Sequence, residues 1–242
     1  LRLRIVDGRP IADLVLELPD VPPRESENPV VLGVDRGVVN IAVTSDGHFF
    51  NSRELRRTQG KYAFLKARLQ AAGTRSAKRH LVRLAGRERR FQADSNHRIA
   101  KRIAAMDFDV LALEDLHIRK SRKNGRAFNR RLGRWAFGQL GFILMYKCEE
   151  VGKKVVTVPP AYTSQDCSRC GTRGVRVRSA FSCGTCCLRL NADLNAARNI
   201  AQRGIASLGR RFVNPPIVAH HEIKPQNLIE RSCKPPTLLG CS

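Results

Sequence analysis

Acidic residues are scarce in this chain of 242 residues: 21 Asp and Glu stand against 44 Lys and Arg, a formal net charge of +23. A long uninterrupted apolar run is also missing, so no segment reads as a membrane span. With the basic residues spread along the chain, the expected polyanionic partner is nucleic acid rather than a membrane. No secretory leader opens the sequence, which makes the cytoplasm the expected location and a disulfide framework the poorer reading of the cysteines. A hydrophobic content of 42% is enough for a core, and the length fits one large domain or a domain with a small module.

What the chain does contain is concentrated between residues 167 and 199. Two Cys-x-x-Cys pairs, Cys167 with Cys170 and Cys183 with Cys186, flank a short basic segment that ends in an aromatic. In each pair one tight turn carries two thiolates to the same ion, and Zn²⁺ favours four such ligands in a tetrahedron, so the spacing reads as a zinc ribbon. A segment this short is expected to lack a core and to take its folding energy from the metal. Cys148 falls in a helical apolar stripe and reads as a core thiol.

Strand signals come before the cysteines. Residues 1–28 alternate as strands at Leu1, Leu3, Ile5 and again at Leu14, Leu16, Leu18, which predicts a hairpin and a Pro-rich linker. The run from Val30 to Phe50 is β-branched and broken at Arg36-Gly37 and Asp46-Gly47, so it predicts three antiparallel strands. Asp35 interrupts the first of these near its end, where it serves either as a turn residue beside Gly37 or as a carboxylate with chemistry to do. Residues 52–106 carry about five basic residues per acid at near-helical apolar spacing, predicting two helices hinged at 71–74 with a face for phosphate. His80 and His97 in this region have no ligand company.

Val110 to Leu113 reads as a buried parallel strand with Glu114 at its end and Asp115 as a capping alternative. A basic loop over 119–134, a helix over 135–152 and a short buried strand from Lys154 to Pro159 follow. Beyond the cysteines an Ala-rich helix opens with Asp193 in or before its first turn, where it is either an N-cap or a third functional acid. This order is that of an RNase H-like α/β domain: a mixed sheet with flanking helices and an inserted ribbon. In that order an acid on the first strand, one ending the fourth and one on a late helix can converge. Three carboxylates suit two Mg²⁺ or Mn²⁺ ions roughly 3.5 to 4 Å apart, which activate a water and stabilise the leaving oxygen in phosphodiester hydrolysis. Asp35 would bridge the ions, with Glu114 holding one and Asp193 the other.

The motifs Gly33-Val-Asp35-Arg-Gly37, Leu113-Glu114-Asp115-Leu116, Tyr162-Thr-Ser-Gln-Asp-Cys167-Ser-Arg-Cys170-Gly171, Phe181-Ser-Cys183-Gly-Thr-Cys186 and Ala192-Asp193-Leu-Asn195-Ala-Ala-Arg-Asn199-Ile resemble those of the TnpB or OrfB-type transposases, relatives of compact type V CRISPR effectors. The resemblance implies a RuvC-like, metal-dependent DNA endonuclease of a mobile element that is guided by RNA. By motif position Asp35, Glu114 and Asp193 match the catalytic acids, and Cys167, Cys170, Cys183 and Cys186 the zinc ligands. It implies a nuclease core over 29–160, with the basic helices of 52–106 inserted, a ribbon over 161–190 and a last core helix over 191–203. The family's longer N-terminal part is almost wholly missing, which implies an N-terminally truncated member and leaves a second reading, a catalytically inactive nucleic-acid-binding remnant. A ribosomal-type RNA-binding protein would account for the charge and the ribbon but not for the three acids. Cys187 stands where the second knuckle has Gly. Residues 204–242, with His220, His221, Cys233 and Cys241, match nothing in the family and are expected to form a disordered tail.

Overall fold

Period-two alternation and two Gly-containing turns build the sheet at the centre of the protein, a computed structural model in which residues 1–116 and 137–208 are described, apart from Asp7, Leu18 and Asp20. The N-terminal hairpin consists of β1 (Arg2–Val6) and β2 (Arg9–Asp13), closed by an Arg4–Asp13 ion pair at 2.7 Å. The expected second strand is not formed over 14–17: β2 lies five residues earlier, because the chain turns at Gly8 (φ 73°).

Three strands follow as expected: β3 (Val31–Asp35), β4 (Asn40–Thr44) and β5 (Phe49–Asn51), paired antiparallel. Two helices come next, α1 (Arg53–Ala72) and α2 (Arg75–Ala104), broken at the predicted hinge. Gly73 takes φ 64° after α1, and the Thr74 hydroxyl caps α2 by accepting from the Ala77 amide at 3.1 Å. The chain then re-enters the sheet as β6 (Val110–Glu114), parallel to β3, crosses α3 (Phe137–Glu149) and ends the sheet with β7 (Lys154–Val158), parallel to β6. The order is β5-β4-β3-β6-β7. β7 was expected to be a buried strand. It is instead an edge strand, buried fully only at Val158, since no strand pairs with its outer side among the described residues. A second sheet of β8 (Val175–Val177), β9 (Ala180–Ser182) and β10 (Arg189–Asn191) precedes α4 (Ala192–Ser207). This last helix runs through Ser207, past the expected end at 203. The basic loop of 119–134, Trp135 and residues 209–242, with His220, His221, Cys233 and Cys241, lie outside the described residues. Among the described residues no helix is long and apolar enough to cross a membrane.

Alternation assigns the two faces of the sheet. Leu32 and Val34 of β3 and Leu111 and Leu113 of β6 are buried in one core with Ile103 of α2 and Leu140, Leu144 and Cys148 of α3. The intervening positions face α4, where Ala112, Val158 and Ile200 pack with Val31 and Val156. Small residues let α4 come very close. A Cβ built on Gly33 would lie 2.1 Å from the Ala197 carbonyl oxygen and 2.5 Å from the Ala201 amide nitrogen, both backbone atoms that cannot step aside. Gly33→Ala is therefore expected to destabilise the protein by at least about 3 kcal/mol through overpacking, read as a Tm drop of about 6–12 °C.

One buried cation ties the far end of the sheet. Lys153, 4% exposed, donates to the carbonyls of Ala104 (2.8 Å) and Met106 and lies 3.9 Å from the Phe108 ring centroid, and the charges of Asp107 and Asp109 add to these in compensating it.

Candidate functional site

Asp35 and Glu114 end neighbouring parallel strands. The β3–β6 register pairs Val34 with Leu113, so the next step along each strand sets Asp35 beside Glu114. Period two places both on the face covered by α4, in line with Gly33 and Ala112. The first turn of α4 then delivers Asp193. Asp193 is not the N-cap of this helix. That role belongs to Asn191, whose Oδ1 accepts from the amides of Asp193 (2.9 Å) and Leu194 (3.4 Å) and leaves the Asp193 carboxylate for the site.

The three acids are close enough to perturb one another. Burial, and then the charges of Glu114 and Asp193, push the Asp35 carboxyl up from 3.8 to about 7, against a smaller opposite pull from Arg176 and Arg36. Each of the other two is held by polar neighbours. The Thr163 hydroxyl donates to Glu114 Oε1, and Thr163 is held in turn by Asn199, whose Nδ2 donates to the Thr163 carbonyl at 2.7 Å. Asn40 Nδ2 donates to one oxygen of Asp193 and Arg176 Nη2 to the other, both at 2.9 Å. Asn40 sits at a register shift between β4 and β5, the kind of bulge that re-aims a side chain. The Arg36 guanidinium donates to the Glu114 carbonyl at 2.5 Å.

Asn40, Thr163, Arg176 and Asn199 were not singled out from the sequence. The available signals were weak: two buried amides in an Ala-rich helix, Asn195 at 0% and Asn199 at 4% exposure, imply polar partners that only the fold identifies. Asn195 accepts from the Ser168 amide at 2.9 Å and donates to the Asp166 carbonyl at 2.7 Å, fixing the cysteine segment to α4.

The four predicted cysteines converge. Their sulfurs all lie within 4.8 Å of one another, with Cys167 to Cys186 at 3.5 Å and Cys170 to Cys183 at 3.6 Å. A tetrahedron with metal–sulfur bonds of about 2.3 Å has edges of about 3.8 Å, so the cluster fits a metal such as zinc. The Thr172 hydroxyl brings the Cys183 thiol down, whereas burial pushes the Cys186 thiol up. The segment does have a small core, contrary to expectation. Phe181, 1% exposed, packs with Cys167, Cys183 and Ala192, because Gly174 leaves room for its ring.

Cys187 lies outside the cluster. It follows the second knuckle with φ 56°, as Gly171 follows the first with φ 76°. A side chain there carries backbone strain that glycine would not. Cys187→Gly is expected to stabilise the protein by about 1 kcal/mol with metal content unchanged, as read by thermal melts and metal analysis.

Comparison with known proteins finds relatives along most of the chain. Residues 13–125 match the family model "Probable transposase", and residues 137–200 match the model "Cas12f1-like, TNB domain". The chain is 30% identical over 201 residues to the putative RNA-guided DNA endonuclease InsQ of Escherichia coli K12, covering 74% of this chain and 50% of that protein. It is 40% identical over 118 residues to the CRISPR-associated endodeoxyribonuclease Cas12f1 of Sulfoacidibacillus thermotolerans, covering 46% of this chain and 27% of that one. A solved complex of Cas12f1 with sgRNA and target DNA superposes with a TM-score of 0.60 at 24% identity, over 79% of this chain and 52% of that one. The fold is thus that of the Cas12f-type proteins, a mixed sheet flanked by helices. Over most of its length the chain is similar to the TnpB or OrfB-type transposases and to Cas12f-type proteins. It spans about a quarter to a half of the length of these curated relatives.

Proposed function

We propose that this chain is the nuclease half of a TnpB-like, RNA-guided DNA endonuclease of a mobile element. It hydrolyses DNA phosphodiester bonds at Asp35, Glu114 and Asp193. In this reading residues 29–160 and 191–203 form the RuvC-type core, with the helices of 52–106 inserted, and 161–190 form a zinc ribbon. The observation that carries it is the meeting of three acids from three separate elements, where burial first and then the charges of Glu114 and Asp193 raise Asp35 to about 7. Outside a functional site such crowding of like charges would be a plain cost to the fold.

The donor set fits hard divalent cations. All three side chains offer oxygen, and a carboxyl that its neighbours make hard to ionise is one a cation would relieve. Bound there, Mg²⁺ or Mn²⁺ would neutralise the carboxylates, activate water and stabilise the leaving oxygen. The chain's own groups do the positioning. Thr163 orients Glu114, Asn40 orients Asp193, and Arg176, 37% exposed at its side chain beside Asp193, presents a guanidinium where a phosphate would approach. The helices α1 and α2 supply a basic face for the nucleic-acid backbone, with DNA and a guide RNA as the partners. Zn²⁺ held by Cys167, Cys170, Cys183 and Cys186 would fasten the ribbon that carries Arg176.

The test is cleavage of single-stranded and guide-complementary DNA by the purified chain with Mg²⁺ or Mn²⁺, beside Asp35→Ala. Metal-dependent cutting that vanishes in Asp35→Ala supports the reading. Salt-sensitive DNA binding without cutting identifies instead the inactive remnant.

A further inference from the structure

Next in sequence to Thr163, which holds Glu114, is a strained and exposed aromatic that the proposed hydrolysis does not use. Tyr162 adopts φ 65°, a conformation costly for a bulky residue, and yet 53% of its surface is open to solvent. Burial of the ring therefore does not compensate the strain. Its neighbours hold the backbone firmly in place. The Tyr162 carbonyl accepts from the amides of Gln165 and Asp166 at 2.9 Å each, Arg203 donates to the Ala161 carbonyl at 2.6 Å, and Thr163 is fixed between Asn199 and Glu114. The ring is not left loose either: the Arg173 guanidinium stacks over it at 4.2 Å from the centroid. Arg173 lies just before β8, and three residues later Arg176 reaches Asp193. One short basic segment thus joins the aromatic to the acids.

We propose that Tyr162, backed by Arg173, is a stacking platform for an unpaired nucleobase of the strand drawn across Asp35, Glu114 and Asp193. This rests on the reading of the chain as a nucleic-acid-cutting protein and adds the residue that would hold an unpaired base of the strand. Aromatic faces accept any base, so the platform is indifferent to sequence. A duplex keeps its bases stacked on one another and offers it none. Tyr162 is a positioning residue: it holds the strand, and the carboxylates do the chemistry.

The experiment compares a labelled 15-nucleotide oligo(dT) with an abasic strand of equal length and charge, bound by the full chain without added divalent cation. Truncating the ring in Tyr162→Gly or Tyr162→Ala is expected to weaken oligo(dT) binding about 5- to 100-fold and leave the abasic strand unaffected. Tyr162→Phe and Tyr162→Trp should bind like the native chain. Tyr162→Gly should also melt at a higher temperature, since glycine relieves the strain, so a lost fold is not the cause of lost binding. The proposal is overturned if Tyr162→Gly binds oligo(dT) as the native chain does, or weakens both strands alike. Discrimination of the two strands without any Mn²⁺-dependent cutting would overturn the nuclease reading and leave the platform standing. Cutting without discrimination would do the reverse.

Discussion

Asp35→Asn is expected to abolish cleavage, by at least about 10³-fold, and at the same time to make the metal-free protein more stable above neutral pH. The stability effect follows from the shift of the Asp35 carboxyl from 3.8 to about 7 in the folded protein. Below about pH 4 the group is protonated folded or unfolded and contributes nothing. As pH rises towards 7 the unfolded chain loses this proton while the folded one retains it, so ionisation favours the unfolded state, and the penalty reaches its full size above 7. Asparagine has the shape of the neutral acid and never ionises. Its gain should be near zero at pH 4 and on the order of 2–4 kcal/mol at pH 8, a Tm rise of about 5–10 °C. Mg²⁺ or Mn²⁺ should raise the melting temperature of the native chain at pH 8, by binding the folded state, but do little for Asp35→Asn. Melts at both pH values with and without the cation check each part. A pH-independent difference between the two proteins would show that the three acids do not form one electrostatic centre.

The second large effect belongs to the cysteines. Cys183→Ser, or removal of the metal by a strong chelator, is expected to unfold the segment between Tyr162 and Asn191 and to abolish cleavage, with the sheet of β3 to β7 retained. The small core around Phe181 is too slight to hold three short strands alone, whereas a structural zinc site in a small peptide contributes on the order of 10 kcal/mol. Loss of the ribbon removes Arg176 from Asp193 and loosens the stretch that carries Thr163 to Glu114. Limited proteolysis followed by mass spectrometry should map the new cuts to residues 162–191, and metal analysis should show loss of the ion. Full cleavage by a zinc-free protein would refute this coupling.

Much of this architecture was legible before the fold. Hairpin breaks at Gly37 and Gly47, the hinge at Gly73 and the apolar run ending at Glu114 are local signals, and the strands and helices form where those signals place them. The convergence of Asp35, Glu114 and Asp193 was legible for a related reason: each acid ends or begins an element whose periodicity already dictated its face. The helpers were not. Asn40, Thr163 and Arg176 act across separations of 153, 49 and 17 residues, and an isolated Asn, Thr or Arg has no periodic signature. The first hairpin was misread because alternation at Leu14 and Leu16 outweighed the turn at Gly8, and both leucines remain exposed. The edge position of β7 depends on what does not pair with it, which no local pattern records.

Chain order gives the close seat of α4 on β3 a further meaning. Among the described elements α4 is the last, and it brings Asp193 to β3, well over a hundred residues earlier, and to β6 at Val110–Glu114. Contacts so distant in sequence form late in folding, and on a ribosome later still, because the N-terminal strands emerge first. The nascent protein thus holds two of its acids side by side for many seconds without the third. It becomes able to bring the three acids together only once α4 has emerged and docked on β3.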